Sequence, residues 1–109
     1  MNLENHTALI TGSSGGIGED FAVEFAKRKV NLVLVARRED KLAQLRARLL
    51  EQSPGLTIDV VAADLSVPGS AAELAAKIGD LGREIDILVN NAGVGLHGDL
   101  VKQGVAENA

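Results

Sequence analysis

The sequence predicts an α/β domain built on a doubly wound parallel sheet. Three observations predict it. Apolar runs of strand character alternate with segments of helical period along the chain, the pattern of repeated βαβ units. One run, Leu32-Val33-Leu34-Val35, is unbroken by polar residues, as suits a strand covered on both faces. Apolar residues make up 46% of the 109 positions, almost all Ala, Val, Leu or Ile, with Phe21 and Phe25 the only aromatics. Small aliphatic side chains of this kind fill the layers between a sheet and its helices.

The first strand, Thr7-Ala8-Leu9-Ile10, leads into the glycine-rich turn TGSSGGIG of Thr11 to Gly18. A helix follows, in which Ile17, Phe21 and Phe25 recur at every fourth position beside Ala22 and Ala26, making one face apolar. The second strand spans Asn31 to Ala36 and is expected to be central. Arg37 to Asp40 form a polar junction, and Leu42, Leu45 and Leu49 mark a second amphipathic helix ending near Ser53-Pro54-Gly55. The third strand runs from Thr57 to Ala63. Asp64-Leu65-Ser66 closes it, Pro68 and Gly69 break the chain, and Ala71, Leu74, Ala75 and Ile78 give a short helix terminated by Gly79 and Gly82. A fourth strand, Ile85 to Val89, runs into Asn90-Asn91-Ala92-Gly93, and the residues beyond read as loop.

The formal charge is −4, and the basic residues are scattered among acidic ones. No tract follows a phosphate backbone, so nucleic acid is not an expected partner. The absence of cysteine excludes a disulfide framework and a thiolate metal site, and no metal site is expected. The N-terminus has no basic region followed by an apolar run, and no apolar stretch reaches the ~20 residues that span a bilayer. A soluble cytoplasmic protein with no membrane partner is the expectation.

A glycine-rich turn between a buried strand and a helix points open N–H groups and partial positive charge at whatever sits there. An anionic phosphate suits that place. Gly12 allows the tight turn, Gly16 lets a pyrophosphate approach the backbone, and Gly18 lets the helix lie close on the sheet. Two rivals fail. A P-loop needs Gly-Lys followed by Ser or Thr, whereas Gly18 precedes Glu19-Asp20, whose charges repel a triphosphate. Gly12 to Gly16 also fits the GxSxG nucleophile elbow, with Ser14, Asp86 and His97 in a hydrolase's order. Too little chain precedes Gly12 to supply the earlier strand–helix loop an oxyanion hole needs.

The end of the second strand lies beside the adenosine ribose in such a unit, where an acid bonds the 2′-hydroxyl and an arginine accommodates a 2′-phosphate. Here the strand ends Val35-Ala36-Arg37-Arg38 with no carboxylate at its tip. NADP is the expected cofactor, ahead of NAD. Either guanidinium can grip phosphate bidentately or stack on adenine.

Four features in this order, TGSSGGIG at Thr11 to Gly18, ARR at Ala36 to Arg38, ADL at Ala63 to Leu65 and NNAG at Asn90 to Gly93, resemble the N-terminal half of a classical short-chain dehydrogenase/reductase. The likeness runs from residue 5 to about residue 99. It implies a Rossmann-type sheet of strand order 3-2-1-4. It implies that Gly12, Ser14 and Ile17 contact the diphosphate end of the cofactor and that Arg37 and Arg38 take the 2′-phosphate. Asp64 and Leu65 would meet the adenine edge, Asn91, Ala92 and Gly93 would line the nucleotide beyond the switch point, and Asn90 would tie the central strands together. The implied activity is hydride transfer between NADP(H) and a small-molecule carbonyl or alcohol substrate, in a protein that forms homo-oligomers.

Two departures qualify the likeness. Many NADP(H)-using members carry a basic residue at the position of Gly15, so cofactor preference rests on the arginine pair. The family's chemistry also needs a Tyr and a Lys four residues later, with Ser and Asn, and this chain contains no tyrosine. His6, His97, Ser13 and Ser14 have no partner set for proton transfer, so no catalytic residue is assigned. The expectation is one dinucleotide-binding domain over residues 1–109, truncated after the fourth strand and inactive by itself, its uncovered apolar edge prone to self-association. The alternative is a non-catalytic nucleotide-binding or assembly module.

Overall fold

In the computed structural model the described residues are 3–13 and 15–91. They form strands and helices in strict alternation: β1 (Thr7–Thr11), α1 (Gly16–Lys27), β2 (Asn31–Ala36), α2 (Glu39–Gln52), β3 (Ile58–Ala62), α3 (Ser70–Leu81) and β4 (Ile87–Asn90). The strands lie in the order β3-β2-β1-β4, all parallel, with Leu9 opposite Val33, Leu34 opposite Val60 and Ile10 opposite Val89. This is the Rossmann-type arrangement the resemblance implies, and β1 and β2 are its inner strands.

Alternation along each strand divides the apolar side chains between two cores. Ala8, Ile10, Leu32 and Leu34 face Ala22 and Ala26 of α1 and Leu42, Leu45 and Leu49 of α2. Leu9, Val33, Val35 and Val61 face the other way, onto Leu74, Ala75 and Ile78 of α3. Both parities along β2 are therefore buried, which is why its sequence carries no polar break.

Three local readings are corrected. The face of α1 that meets the sheet is Gly18, Ala22 and Ala26, whereas Ile17 is 65% and Phe21 41% exposed. Small residues let the helix axis approach the strands, which turns the bulkier stripe toward the β4 flank. There Phe21 and Phe25 stack at 6.2 Å and line a shallow apolar groove with Ile87, Leu88 and Val89. The second correction concerns α3, which passes through Gly79 and stops at Leu81. Only Gly82, left-handed at φ 68°, terminates it.

The third correction is the start of β4, at Ile87 instead of Ile85. Asp86 donates its N–H to the carbonyl of Thr7 at 2.9 Å, and its carboxylate accepts the Thr7 N–H at 2.9 Å. A side chain thus occupies the place of the next ladder acceptor. Ile85 keeps its buried position on the α3 side. At the opposite edge, Arg46 donates to the carbonyl of Ile58 at 2.7 Å and Arg83 pairs with Asp59 at 2.8 Å, charges that blunt the exposed β3 strand.

Candidate functional site

The carboxyl ends of β1, β2 and β3 open into one cleft of about 510 Å³ lined by Gly12, Val35, Ala36, Arg37, Arg38, Lys41, Ala63, Asp64, Leu65 and Ser66. An open parallel sheet binds ligands at this end, beside the point where strand order reverses. Here that point falls between β1 and β4, the strands either side of the reversal.

The glycine turn forms one end of the cleft. Gly12 sits at φ 69°, a left-handed conformation that a side chain disfavours, so the chain leaves β1 sharply. Ser13 then pins the turn to the neighbouring strand, both its N–H and its hydroxyl donating to the carbonyl of Val35 at 3.1 and 3.2 Å. From the β4 side, Thr11 Oγ1 donates to Asn90 Oδ1 at 3.1 Å, and Asn91 Nδ2 donates to the carbonyl of Gly12 at 3.3 Å. Asn90, at the end of β4, is thus tied to the end of β1.

The start of α1 faces this turn. Its N-cap, Gly15, has no side chain to cap the helix, and among the described residues no side chain bonds the first-turn N–H groups, donors of the kind an anion suits. Gly18 packs beneath: a methyl group there would overlap the Gly12 carbonyl oxygen and lie 2.9 Å from the carbonyl carbon. Glu19, whose charge faces α1's first turn, is paired with Arg48 of α2, which diminishes its repulsion of a nearby phosphate.

The other end of the cleft is charged. Arg38 binds Asp40 through two bonds, Nε to Oδ1 at 3.2 Å and a terminal nitrogen to Oδ2 at 2.8 Å, and this bond raises the arginine's pKa and lowers the aspartate's. Asp64 Oδ1 accepts the Ser66 hydroxyl at 2.6 Å and the Ser66 N–H at 3.0 Å. Its pKa lies below the usual carboxylate range, first because of the Ser66 hydroxyl, then the Ser66 N–H, with a smaller pull from the Arg37 charge. An acceptor therefore stands in one wall and an exposed guanidinium near it.

Of the residues the sequence singles out, Gly12, Arg37, Arg38, Asp64 and Leu65 line this cleft, with Asn91 bonded to its glycine turn. Gly16, Ile17 and Gly18 form the first turn of α1 without lining it, Ile17 exposed and Gly18 buried. Ser14, Ala92, Gly93 and His97 lie outside the described residues. Ser13, Lys41 and Ser66 were not foreseen. Lys41 reads in sequence as one more cation of an amphipathic helix, and the Ser66 turn has only the Asp-x-Ser spacing as its signal. Among the described residues no cluster of His, Cys, Asp or Glu could hold a metal ion, and no helix is long and apolar enough to cross a membrane.

A family model described as short chain dehydrogenase matches residues 6–107. Hydroxysteroid dehydrogenase-like protein 1 of Gallus gallus is 42% identical over 87 residues, 80% of this chain and 26% of that protein. The very-long-chain 3-oxoacyl-CoA reductase of Meyerozyma guilliermondii is 41% identical over 79% of this chain and 25% of its own length. Among solved structures, the bulky-bulky ketone specific alcohol dehydrogenase of Comamonas testosteroni superposes with a TM-score of 0.72 at 45% identity, over 84% of this chain and 37% of that one. The L-sorbose reductase of Gluconobacter frateurii, complexed with NADPH and L-sorbose, gives 0.75 at 38% identity over 87% and 36%. The chain thus spans about a quarter to a third of the length of the curated relatives it matches.

Proposed function

The chain belongs to the short-chain dehydrogenase family, and from that premise we propose that it is the cofactor-binding part of an oxidoreductase that uses NADP(H) to interconvert a carbonyl and an alcohol. The observation that carries the reading is the cleft at the strand ends. It has Gly12 of the glycine turn at one end and Arg37 and Asp64 at the other, and the helix α1 starts directly after that turn, the polarity a dinucleotide demands.

The residues fit the cofactor in size and chemistry. The first-turn amides of α1, with Gly12 and Gly16, suit the diphosphate, and Gly18 supports them by letting the helix lie close. Ser14 and Ile17 complete that end in the proposal. Arg37 and Arg38 take the 2′-phosphate, Asp64 and Leu65 the adenine edge, and Asn91, Ala92 and Gly93 the nucleotide beyond β4. The bound cofactor supplies the hydride. Two solved relatives support the NADP(H) preference, the L-sorbose reductase with NADPH and an alcohol dehydrogenase of Thermococcus sibiricus with 5-hydroxy-NADP.

The chain holds no tyrosine, so in this reading the proton-transferring tyrosine and lysine, and most of the substrate pocket, belong to a part of the protein outside these residues. A cytoplasmic homo-oligomer is the proposed setting. Parallel fluorescence titrations with NADPH and NADH test the reading: saturable binding with NADPH the tighter is expected. Tighter NADH binding overturns the arginine argument, and no binding of either overturns the site.

A further inference from the structure

We infer that Lys41 is a specificity residue for the 2′-phosphate, acting with Arg37 to select NADP(H) over NAD(H); the inference rests on the cofactor reading above. Three cations line the cleft, Arg37, Arg38 and Lys41, and they are not equivalent. The fork of Arg38 is occupied by Asp40 through two charge-assisted bonds, and to grip a phosphate with the same donors it must first give these up. Arg37 and Lys41 enter no side-chain hydrogen bond or ion pair among the described residues. The net positive charge available to an incoming dianion therefore comes from Arg37 and Lys41.

The position of Lys41 is itself informative. It is the third residue of α2, in the first turn, where the helix macrodipole disfavours a cation and where Glu39 and Asp40 are the residues of favourable sign. A residue set against its local electrostatics marks a place where something other than helix stability decides the choice. A phosphate bound in the cleft supplies that reason. Gly15, across the glycine turn, offers no charge, and among the described residues that line the cleft the cations are Arg37, Arg38 and Lys41. Lys41 approaches from the α2 side, its four-carbon stem letting the ammonium adapt as a point charge where Arg37 grips as a fork.

Isothermal titrations of the unchanged protein and of Lys41→Met, Lys41→Arg and Lys77→Met with NADPH, NADH and the fragments 2′,5′-ADP and 5′-AMP test this. Lys77 is exposed on α3, against the other face of the sheet, and its variant carries the same change in net charge. Lys41→Met is expected to weaken NADPH and 2′,5′-ADP about tenfold, the size of one lost charge-assisted contact. NADH and 5′-AMP should hold, Lys41→Arg should restore the preference, and Lys77→Met should change nothing. Equal loss for the phosphorylated and plain nucleotides, or the same loss in Lys77→Met, overturns the inference and leaves the cofactor site standing. Failure of the unchanged protein to bind any of the four overturns both.

Discussion

The side-chain amide of Asn91 reaches the carbonyl oxygen of Gly12 at 3.3 Å and so ties the end of β4 to the glycine turn after β1, 79 positions earlier in the chain. The same amide nitrogen lies 3.0 Å from where a methyl on Gly18 would stand. Turn, helix start and strand end are fitted to one another at Gly18, and the nearest obstacles to that methyl, the carbonyl oxygen and carbon of Gly12, cannot yield without moving backbone.

Gly18→Ala is accordingly expected to destabilise the fold by about 1–3 kcal/mol, the cost of forced overpacking. Gly15→Ala is the matched control. Its φ of −176° is ordinary extended backbone, and its added methyl meets nothing within 4 Å, so its stability should stay within about 0.5 kcal/mol of the parent. Thermal denaturation followed by circular dichroism separates the two, and equal melting temperatures would contradict the packing described.

Thr11 is fully buried, and its hydroxyl bonds Asn90 across the β1–β4 seam. Thr11→Val keeps the volume and removes the donor, and because Asn90 is exposed and can turn to water, the expected cost is that of one ordinary hydrogen bond, about 0.5–1.5 kcal/mol. Urea titration is the measurement, with a shifted midpoint and an unchanged slope expected. A midpoint unaltered by the substitution would show that the seam does not depend on this bond.

The order of elements was legible in the sequence because both strong signals, the buried apolar run of β2 and the glycine turn, are local. The family motifs then supplied the strand order, which no local pattern contains. What escaped was how the apolar face of α1 divides: Ala22 and Ala26 meet the sheet and Phe25 packs against its core, while Ile17 and Phe21 stay exposed, because the close approach at Gly18 that decides this is tertiary. Asp86 hid the start of β4 for a related reason, since a carboxylate standing in for a ladder acceptor leaves no trace in hydropathy. Within the cleft, Arg37, Arg38, Asp64 and Leu65 could be read from their place after strands. Lys41 enters the cleft wall from inside a helix, and the division of labour between Arg37 and Arg38 follows from a bond to Asp40 that spacing alone does not impose.

Asp64 gives a pH-dependent test. Its carboxylate is favoured mainly by the Ser66 hydroxyl, so its folded pKa lies below the unfolded value of about 3.9. The stabilisation is therefore complete above that unfolded value and is lost as pH falls through the lower folded one. Ser66→Ala removes the largest cause and keeps the backbone N–H. The Asp64 carboxyl resonance should then titrate at higher pH than in the parent, and any stability gap between the two proteins should close on acidification. A titration midpoint left in place would show that the backbone N–H, or Arg37, holds the carboxylate down instead.

Arg37 carries the strongest functional prediction, because it lines the cleft without an ion-pair partner among the described residues. Arg37→Asp reverses the charge where a 2′-phosphate is expected and supplies the acid that bonds a 2′-hydroxyl in NAD-binding units of this kind. Loss of a charge-assisted contact is worth about 1.5–3 kcal/mol, so NADPH affinity should fall by about ten- to a hundredfold. NADH affinity should hold or improve. The parent's preference should also shrink with added salt, since exposed charges are screened within about 10 Å at 0.1 M ionic strength. If both dinucleotides weaken in parallel, the residue supports the cleft without reading the phosphate, and the cofactor preference must be sought elsewhere in the site.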